Sequence, residues 1–337
     1  MLYDFTVCGA GPVGSYLAWK LAEMGHKTLL VEEHEKVGEP LACSGLISRN
    51  LFKFFEDKSI VEREINGARI HVGKKIHRFP SREAVVVDRT RLDKLLAKKA
   101  IKSGVEVANK TRLFSFLESK EKVSLYMKSD NFKNISTKVL AGCDGPLSAV
   151  RENMGIPKPS MLHGIFTYVD EEPDDQVDLY FKKAPGFFAW RIPRKSNVEY
   201  GIASDYGAKQ YFKKFTDKMH LHYDRVYSGM IPYGLLRRTS SNRVFLCGDA
   251  ASHVKPYSGG GVVYGLTAAR IASVIIKPDK PDMDSYEKEW RRKLASEIRH
   301  GMTIKKSYSL PAFMLNRILN SVSKKKNLEM DKPSTIW

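Results

Sequence analysis

The segment that most limits what this chain can fold into is Gly9-Ala10-Gly11-Pro12-Val13-Gly14. Before it, residues 4–8 (Asp-Phe-Thr-Val-Cys) read as a short buried strand. After it, residues 15–24 carry Leu17, Ala18 and Leu21 at helical spacing, and Gly25 supplies the stop. Residues 27–31 then read as a second strand, ending at Glu32 with Glu33 beside it. Each piece has a physical task. Gly9 permits the tight turn, Gly11 lets backbone approach a pyrophosphate, and Gly14 lets helix and strand pack closely. The helix start behind Pro12 offers unpaired N–H groups and a positive dipole to phosphates, and a terminal acid accepts from a ribose diol. A lone glycine turn is a weak signal. Strand, turn, helix, strand and acid in this order predict a dinucleotide site on a Rossmann-type α/β unit.

Two distant segments choose between dinucleotides. Residues 139–151 read as a strand that ends in Asp144-Gly145, with a helix beginning near Ser148. Residues 243–251 read as a strand that ends in Gly248-Asp249, followed by Ala250-Ala251. A glycine-rich turn, Pro256-Tyr257-Ser258-Gly259-Gly260-Gly261-Val262, then opens a helical pattern over 263–276. Taken with the N-terminal turn, these segments resemble the FAD-dependent group of aromatic hydroxylases, flavin halogenases and geranylgeranyl reductases. The resemblance implies FAD as cofactor. It implies that Asp249 binds the ribitol or ribose, that Asp144 supports the pyrophosphate region, and that Gly259, Gly260 and Gly261 lie against the isoalloxazine. Arg89, in Val87-Asp88-Arg89-Thr90-Arg91, matches an arginine that this group keeps near the cofactor. A helix N-terminus near the ring is suited to stabilise an anionic reduced flavin.

Two more stretches narrow the group. In Gly38-Glu39-Pro40-Leu41-Ala42-Cys43-Ser44-Gly45, the Cys43-Ser44-Gly45 step is similar to the segment that geranylgeranyl reductases carry beside the flavin, where hydroxylases more often place an arginine. Gly186-Phe187-Phe188-Ala189-Trp190-Arg191-Ile192-Pro193 resembles the reductases' aromatic-x-Trp-x-apolar-Pro motif, which contacts an isoprenoid chain. Phe188, Trp190 and Ile192 fall on one face of a strand. A polyprenyl chain offers no hydrogen bonds, so only an apolar, aromatic-lined groove can hold it. The halogenases' Trp-x-Trp-x-Ile-Pro signature overlaps this strand, but Phe188 stands at its first Trp position.

The resemblance covers roughly residues 1–275 and implies a hydroxylase-like flavoprotein fold, α/β with an α+β character. A discontinuous FAD-binding domain (1–65, 85–155 and 240–280) alternates with an antiparallel-sheet substrate domain (66–84 and 156–239) and precedes a C-terminal helical region (281–337). Strand-like runs at 68–72, 76–79, 163–169, 177–181, 186–192 and 199–203 supply the antiparallel sheet. Helical patterns fall at 91–104 and 208–221, the latter basic, with a strand near 105–108.

Composition sets outer bounds. The 337 residues carry a net charge of +18, which predicts attraction to polyanions. No helix-turn-helix, RNA-recognition or zinc-finger pattern accompanies it, so nucleic acid is not the expected partner. Cys8, Cys43, Cys143 and Cys247 are widely spaced, which argues against a disulfide framework and a zinc site, and no metal is expected. No run approaches the roughly 20 apolar residues of a membrane span, and no secretory leader precedes the first strand, so a cytoplasmic protein is expected. Near the C-terminus, the apolar face of 309–319 beside Lys324-Lys325-Lys326 suits peripheral contact with an anionic membrane or a docked helix with a basic end.

By resemblance, then, the chain saturates isolated C=C bonds of geranylgeranyl chains in precursors of archaeal-type membrane lipids. The chemistry needs hydride from reduced flavin and a proton, and Cys43 or a water beside it is the proton source the motifs offer. No second glycine fingerprint appears, so the electrons come from an external donor, NAD(P)H or a reduced carrier. Two readings stay open beside this one: a flavin monooxygenase or halogenase of an aromatic compound, and a non-enzymatic prenyl-binding protein on the same fold.

Overall fold

A computed structural model describes residues 1–129, 135–325 and 329–336. Five strands run parallel in the order Glu106–Ala108, Thr28–Val31, Leu2–Cys8, Ile135–Gly142, Val244–Leu246. All four residues of Thr28–Val31 and all three of Val244–Leu246 are buried, as strands covered on both faces must be. Helices Pro12–Glu23, Arg89–Lys102 and Val262–Ile275 share one apolar cluster on this sheet through Leu17, Leu96 and Leu266. The first helix begins three residues before its expected start because Pro12 takes the first helical position, where a missing N–H costs nothing. An antiparallel meander, Arg112–Glu118 and Val123–Lys128, extends the sheet along the first half of Ile135–Gly142.

The second sheet has seven strands in the order Val226–Tyr233, Ser160–Val169, Val198–Ser204, Phe187–Pro193, Gln176–Ala184, Gly67–Val72, Lys75–Pro80. It is not purely antiparallel: Gln176–Ala184 pairs in parallel with Gly67–Val72. A connection of about a hundred residues separates those two strands in sequence, long enough for the crossover that parallel pairing requires. Helix Ala208–Lys218 covers one face through Phe212 and Phe215. Its opposite face packs against Leu315 and Leu319 of helix Ala312–Val322. The 25-residue helix Met283–Ser307 joins the two halves. Tyr286 and Trp290 anchor it, donating to the Leu246 carbonyl (2.7 Å) and to Thr239 Oγ1 (3.0 Å).

Candidate flavin and substrate cavity

The register of three parallel strands explains why distant glycine corners meet. Cys8 lies opposite Gly142, and Gly142 lies opposite Leu246. The residues that follow, Gly9, Asp144-Gly145 and Gly248-Asp249, therefore leave the sheet side by side at its carboxyl edge, where open α/β sheets bind their ligands. The first corner leaves no room for side chains: a Cβ on Gly14 would stand 1.9 Å from the Gly9 carbonyl oxygen. At Gly11 a Cβ would meet nothing within 4 Å, so that face is open to a ligand.

From these corners a cavity of about 1120 Å³ extends to the second sheet. Small-molecule pockets usually span roughly 300–1,000 Å³, so this one has room for a dinucleotide and a further ligand. Gly11, Pro12, Arg89, Gly248 and Asp249 line its floor. The turn Gly259-Gly260-Gly261 and Val262 line it from the start of the second glycine-bearing helix. Cys43 and Ser44 form one wall; Phe188, Trp190 and Ile192 form another. Both helix N-termini that open here, at Gly11 and Gly261, lack a side-chain cap and so leave N–H groups for an anion.

The remaining residues read from the sequence lie outside the lining. Gly9 and Gly14 shape the corner from behind. Glu32 is nearly buried and ties the second strand to the turn, accepting from Ala10 N (2.8 Å) and His34 N (3.0 Å). Glu33 lies on the other side of the strand end from Glu32. It points to solvent beside Arg112 (3.6 Å), because consecutive residues leaving a strand face opposite ways. Pro256 packs on Gly301 instead of facing the cavity. Gly45 accepts from Val87 N (2.9 Å) and fixes the Cys43 segment to the small sheet that includes Ala84–Val87. Asp144 accepts from Val150 N (3.0 Å) at the start of helix Ala149–Asn153, whose cap is Ser148, and burial pushes the Asp144 carboxyl up from the ordinary range.

Two cavity-lining residues have a buried polar atom without a partner: Arg89 Nε and Ser258 Oγ. Unpaired buried polar groups are costly, and a polar ligand in the cavity would satisfy them. Burial also pushes the Asp249 carboxyl up to about 6, although Arg89 and His253 pull the other way. The Arg89 cation is itself disfavoured by burial, but Asp93 (3.1 Å) and the Cys43 thiol beside it outweigh that and raise its pKa. The donors, the two helix starts and the glycine cradle fit a flavin dinucleotide.

Sequence reading missed the residues that brace the two walls. Arg194 is buried just beyond the aromatic strand. Its guanidinium donates to the Ser44 carbonyl, and it pairs with Glu62 (2.8 Å) and Glu199 (3.5 Å). Glu199, fully buried, also accepts from Trp190 Nε1 (2.8 Å). Burial pushes the Glu199 carboxyl up to about 7; Arg194 and the Trp190 N–H oppose the shift and Glu62 adds to it. One buried network thus holds the Cys43 segment and the Trp190 strand together. Gly201, opposite Trp190 in register, makes room for the indole: a Cβ there would lie 2.3 Å from the ring. Neither brace has a motif. The Pro193-Arg194 step, with an acid five residues on, was the only available hint.

A third wall comes from the C-terminal region. Tyr308 sets its ring edge-on to Phe181 and donates to the Tyr257 carbonyl (2.7 Å). Asp331 is pinned to Lys255 (2.7 Å) and to Asn50 Nδ2 (2.7 Å), beside the glycine-rich turn. Among the described residues no cluster of metal-ligating side chains occurs, and no helix is long and apolar enough to cross a membrane. Lys326 lies outside the described residues.

Fold and cavity define a class, a Rossmann-type protein built to take a flavin dinucleotide across its glycine corners. The chain belongs to the FAD binding domain family, which matches residues 3–216, and its cofactor is FAD. It is 28% identical to a digeranylgeranylglycerophospholipid reductase of Methanothrix thermoacetophila, over 98% of this chain and 94% of that one. It is 29% identical to the protein of the same name from Methanosarcina acetivorans, over 91% of this chain and 85% of that one. Among solved structures, a geranylgeranyl bacteriochlorophyll reductase-like protein of Thermoplasma acidophilum shares the fold, with a TM-score of 0.88 and 21% identity, over 99% of this chain and 94% of the other.

Proposed function

We propose that this flavoprotein is an oxidoreductase that saturates C=C bonds in geranylgeranyl chains of membrane-lipid precursors. The observation that carries the reading is that one cavity is lined both by the glycine corners and by the apolar, aromatic residues Phe188, Trp190 and Ile192. Relatives named as digeranylgeranylglycerophospholipid reductases, each matched over nine-tenths or more of this chain, support it.

FAD, once reduced by an external donor, supplies the hydride. The chain's own residues do the rest. In this reading Gly11, Arg89, Asp249 and the turn at Gly259-Gly260-Gly261 hold and orient the cofactor. Phe188, Trp190 and Ile192 hold the isoprenoid chain against it and exclude water. An isolated alkene accepts hydride poorly, so a proton must reach the other carbon in a dry site. Cys43 faces the cavity beside Arg89 and is the proposed donor, either directly or through a water.

Dithionite-reduced protein mixed anaerobically with geranylgeranyl lipids tests the reading. Mass spectrometry should find a gain of two mass units for each bond saturated. Unchanged lipid, with oxygen-dependent hydroxylation of an aromatic compound in its place, would move the protein to the monooxygenase class.

A further inference from the structure

We infer that Asp331 is a positioning residue for the flavin: by neutralising Lys255 beside the glycine-rich turn, it keeps the bound cofactor a strong hydride donor. The inference rests on the placement of the flavin at Gly259-Gly260-Gly261 proposed above.

Lys255 is built into that turn. Its carbonyl accepts from Gly259 N (2.9 Å), and its own N–H donates to the Gly260 carbonyl (3.1 Å). Its side chain runs along Gly260, where a Cβ would stand 2.9 Å from Lys255 Cε. Lys255 lines the cavity and is almost wholly buried. Asp331 meets its ammonium at 2.7 Å and lies outside that lining. Of the two, the residue at the cavity is the cation.

Residues on both sides of the turn hold the acid in place. Tyr257 donates to the Met330 carbonyl and Tyr264 to the Asp331 carbonyl (2.8 Å). Lys255 Nζ also reaches the Met330 carbonyl (3.3 Å), and Asn50 Nδ2 donates to the second carboxylate oxygen of Asp331 (2.7 Å). Burial works to raise the Asp331 carboxyl, but Lys255 outweighs it and holds the group below its ordinary range, so the pair is ionised. Arg89, the cation at the cavity floor, is paired with Asp93 in the same way (3.1 Å).

The chemistry explains the need. A bare buried ammonium near the ring would stabilise the anionic reduced flavin, and the helix start at Gly261 already favours that form. Every such stabilisation makes the reduced ring a weaker hydride donor, and an isolated alkene needs a strong one. A carboxylate against the ammonium cancels most of its field, because the two opposite charges act on the ring together. Lys255 can then pack along Gly260 without lowering the driving force.

The test measures the midpoint potential of the bound flavin against a reference dye, without lipid, in wild type, D331N, K255Q and K255Q/D331N, each checked first for flavin content. D331N should raise the potential. The expected size is a tenfold or larger rise in the ratio of reduced to oxidised flavin at a fixed potential, about 30 mV for a two-electron couple. K255Q should lower the potential, and the double variant should return towards wild type. Loosened packing alone does not give opposite signs. Equal potentials in all four proteins, or shifts of one sign in both single variants, overturn the proposal. If D331N does not fold, K255Q and the double variant decide: a lower potential in K255Q that the double variant restores supports the pair, and equal potentials overturn it. Failure here leaves the reductase reading standing, because that reading is tested by the mass of the lipid. The expected shifts with unchanged lipid keep the pair and remove the reductase.

Discussion

The two walls of the cavity are specified in opposite ways. At the glycine corners the structure depends on side chains being absent: the Gly9–Gly14 approach and the open face of Gly11 are properties of bare backbone. At the second sheet it depends on side chains being large and buried: Phe188, Trp190 and Ile192 are all part of one apolar cluster, and Arg194 and Glu199 brace it from behind. At Gly9 and Gly14 the first wall is therefore intolerant of any added atom, whereas the second responds in proportion to what is removed. Damage to the corners should appear as lost flavin; damage to the second sheet should appear as lost stability or weaker substrate binding with flavin retained.

The sharpest test of the first half is Gly14→Ala. Its Cβ collides with backbone and not with a flexible side chain, so the variant should yield no flavin-bearing protein, read as visible absorbance per polypeptide. Gly11→Ala should keep its Tm and still lose flavin, because only the ligand approaches that face. Equal behaviour of the two variants would break the comparison. Next in size is Arg194→Met. Removing one partner of a buried charge network commonly costs about 3–5 kcal/mol, so urea unfolding should show a loss of that order while bound flavin persists. Trp190→Phe keeps a ring but leaves Glu199 without its indole donor. It should cost about 1–3 kcal/mol and raise KM for the isoprenoid substrate several-fold without changing the flavin spectrum.

The smallest effect concerns pH. Glu199 titrates near 7 in the folded chain, above its ordinary value of 4.5, so the folded state holds this proton more tightly than the unfolded one. Its contribution to stability is complete below about pH 4.5 and is lost as pH rises through about 7. Tm measured across that window should fall more steeply for wild type than for Glu199→Gln. Identical slopes would mean that Glu199 stays charged throughout.

The same contrast decides what was legible in the sequence. Glycine corners are read easily because φ, close approach and helix starts constrain residue type locally, and all three corners lie where expected on adjacent strands. Most strands of the second sheet were legible from apolar runs. Its edge strand Val226–Tyr233 was not, because its half-exposed residues blur the alternation. The meander was hidden for a related reason: Phe114, Leu117 and Tyr126 are apolar yet exposed. Glu33 looked equivalent to Glu32 because a fingerprint names an acid at a strand end but not the side it faces. Arg194, Glu199 and Asp331 were invisible because charged residues read as surface until their partners are known, and Asp331 meets Lys255 from 76 positions away.

The adjacency of Cys8, Gly142 and Leu246 has a kinetic consequence. Corners at residues 9, 144 and 248 become neighbours only when long-range parallel pairing is complete, and such pairing is slow to form. Capture of the yellow cofactor during refolding should therefore lag behind the recovery of helical circular dichroism, which makes quenching of free flavin fluorescence a direct clock for the last stage of assembly.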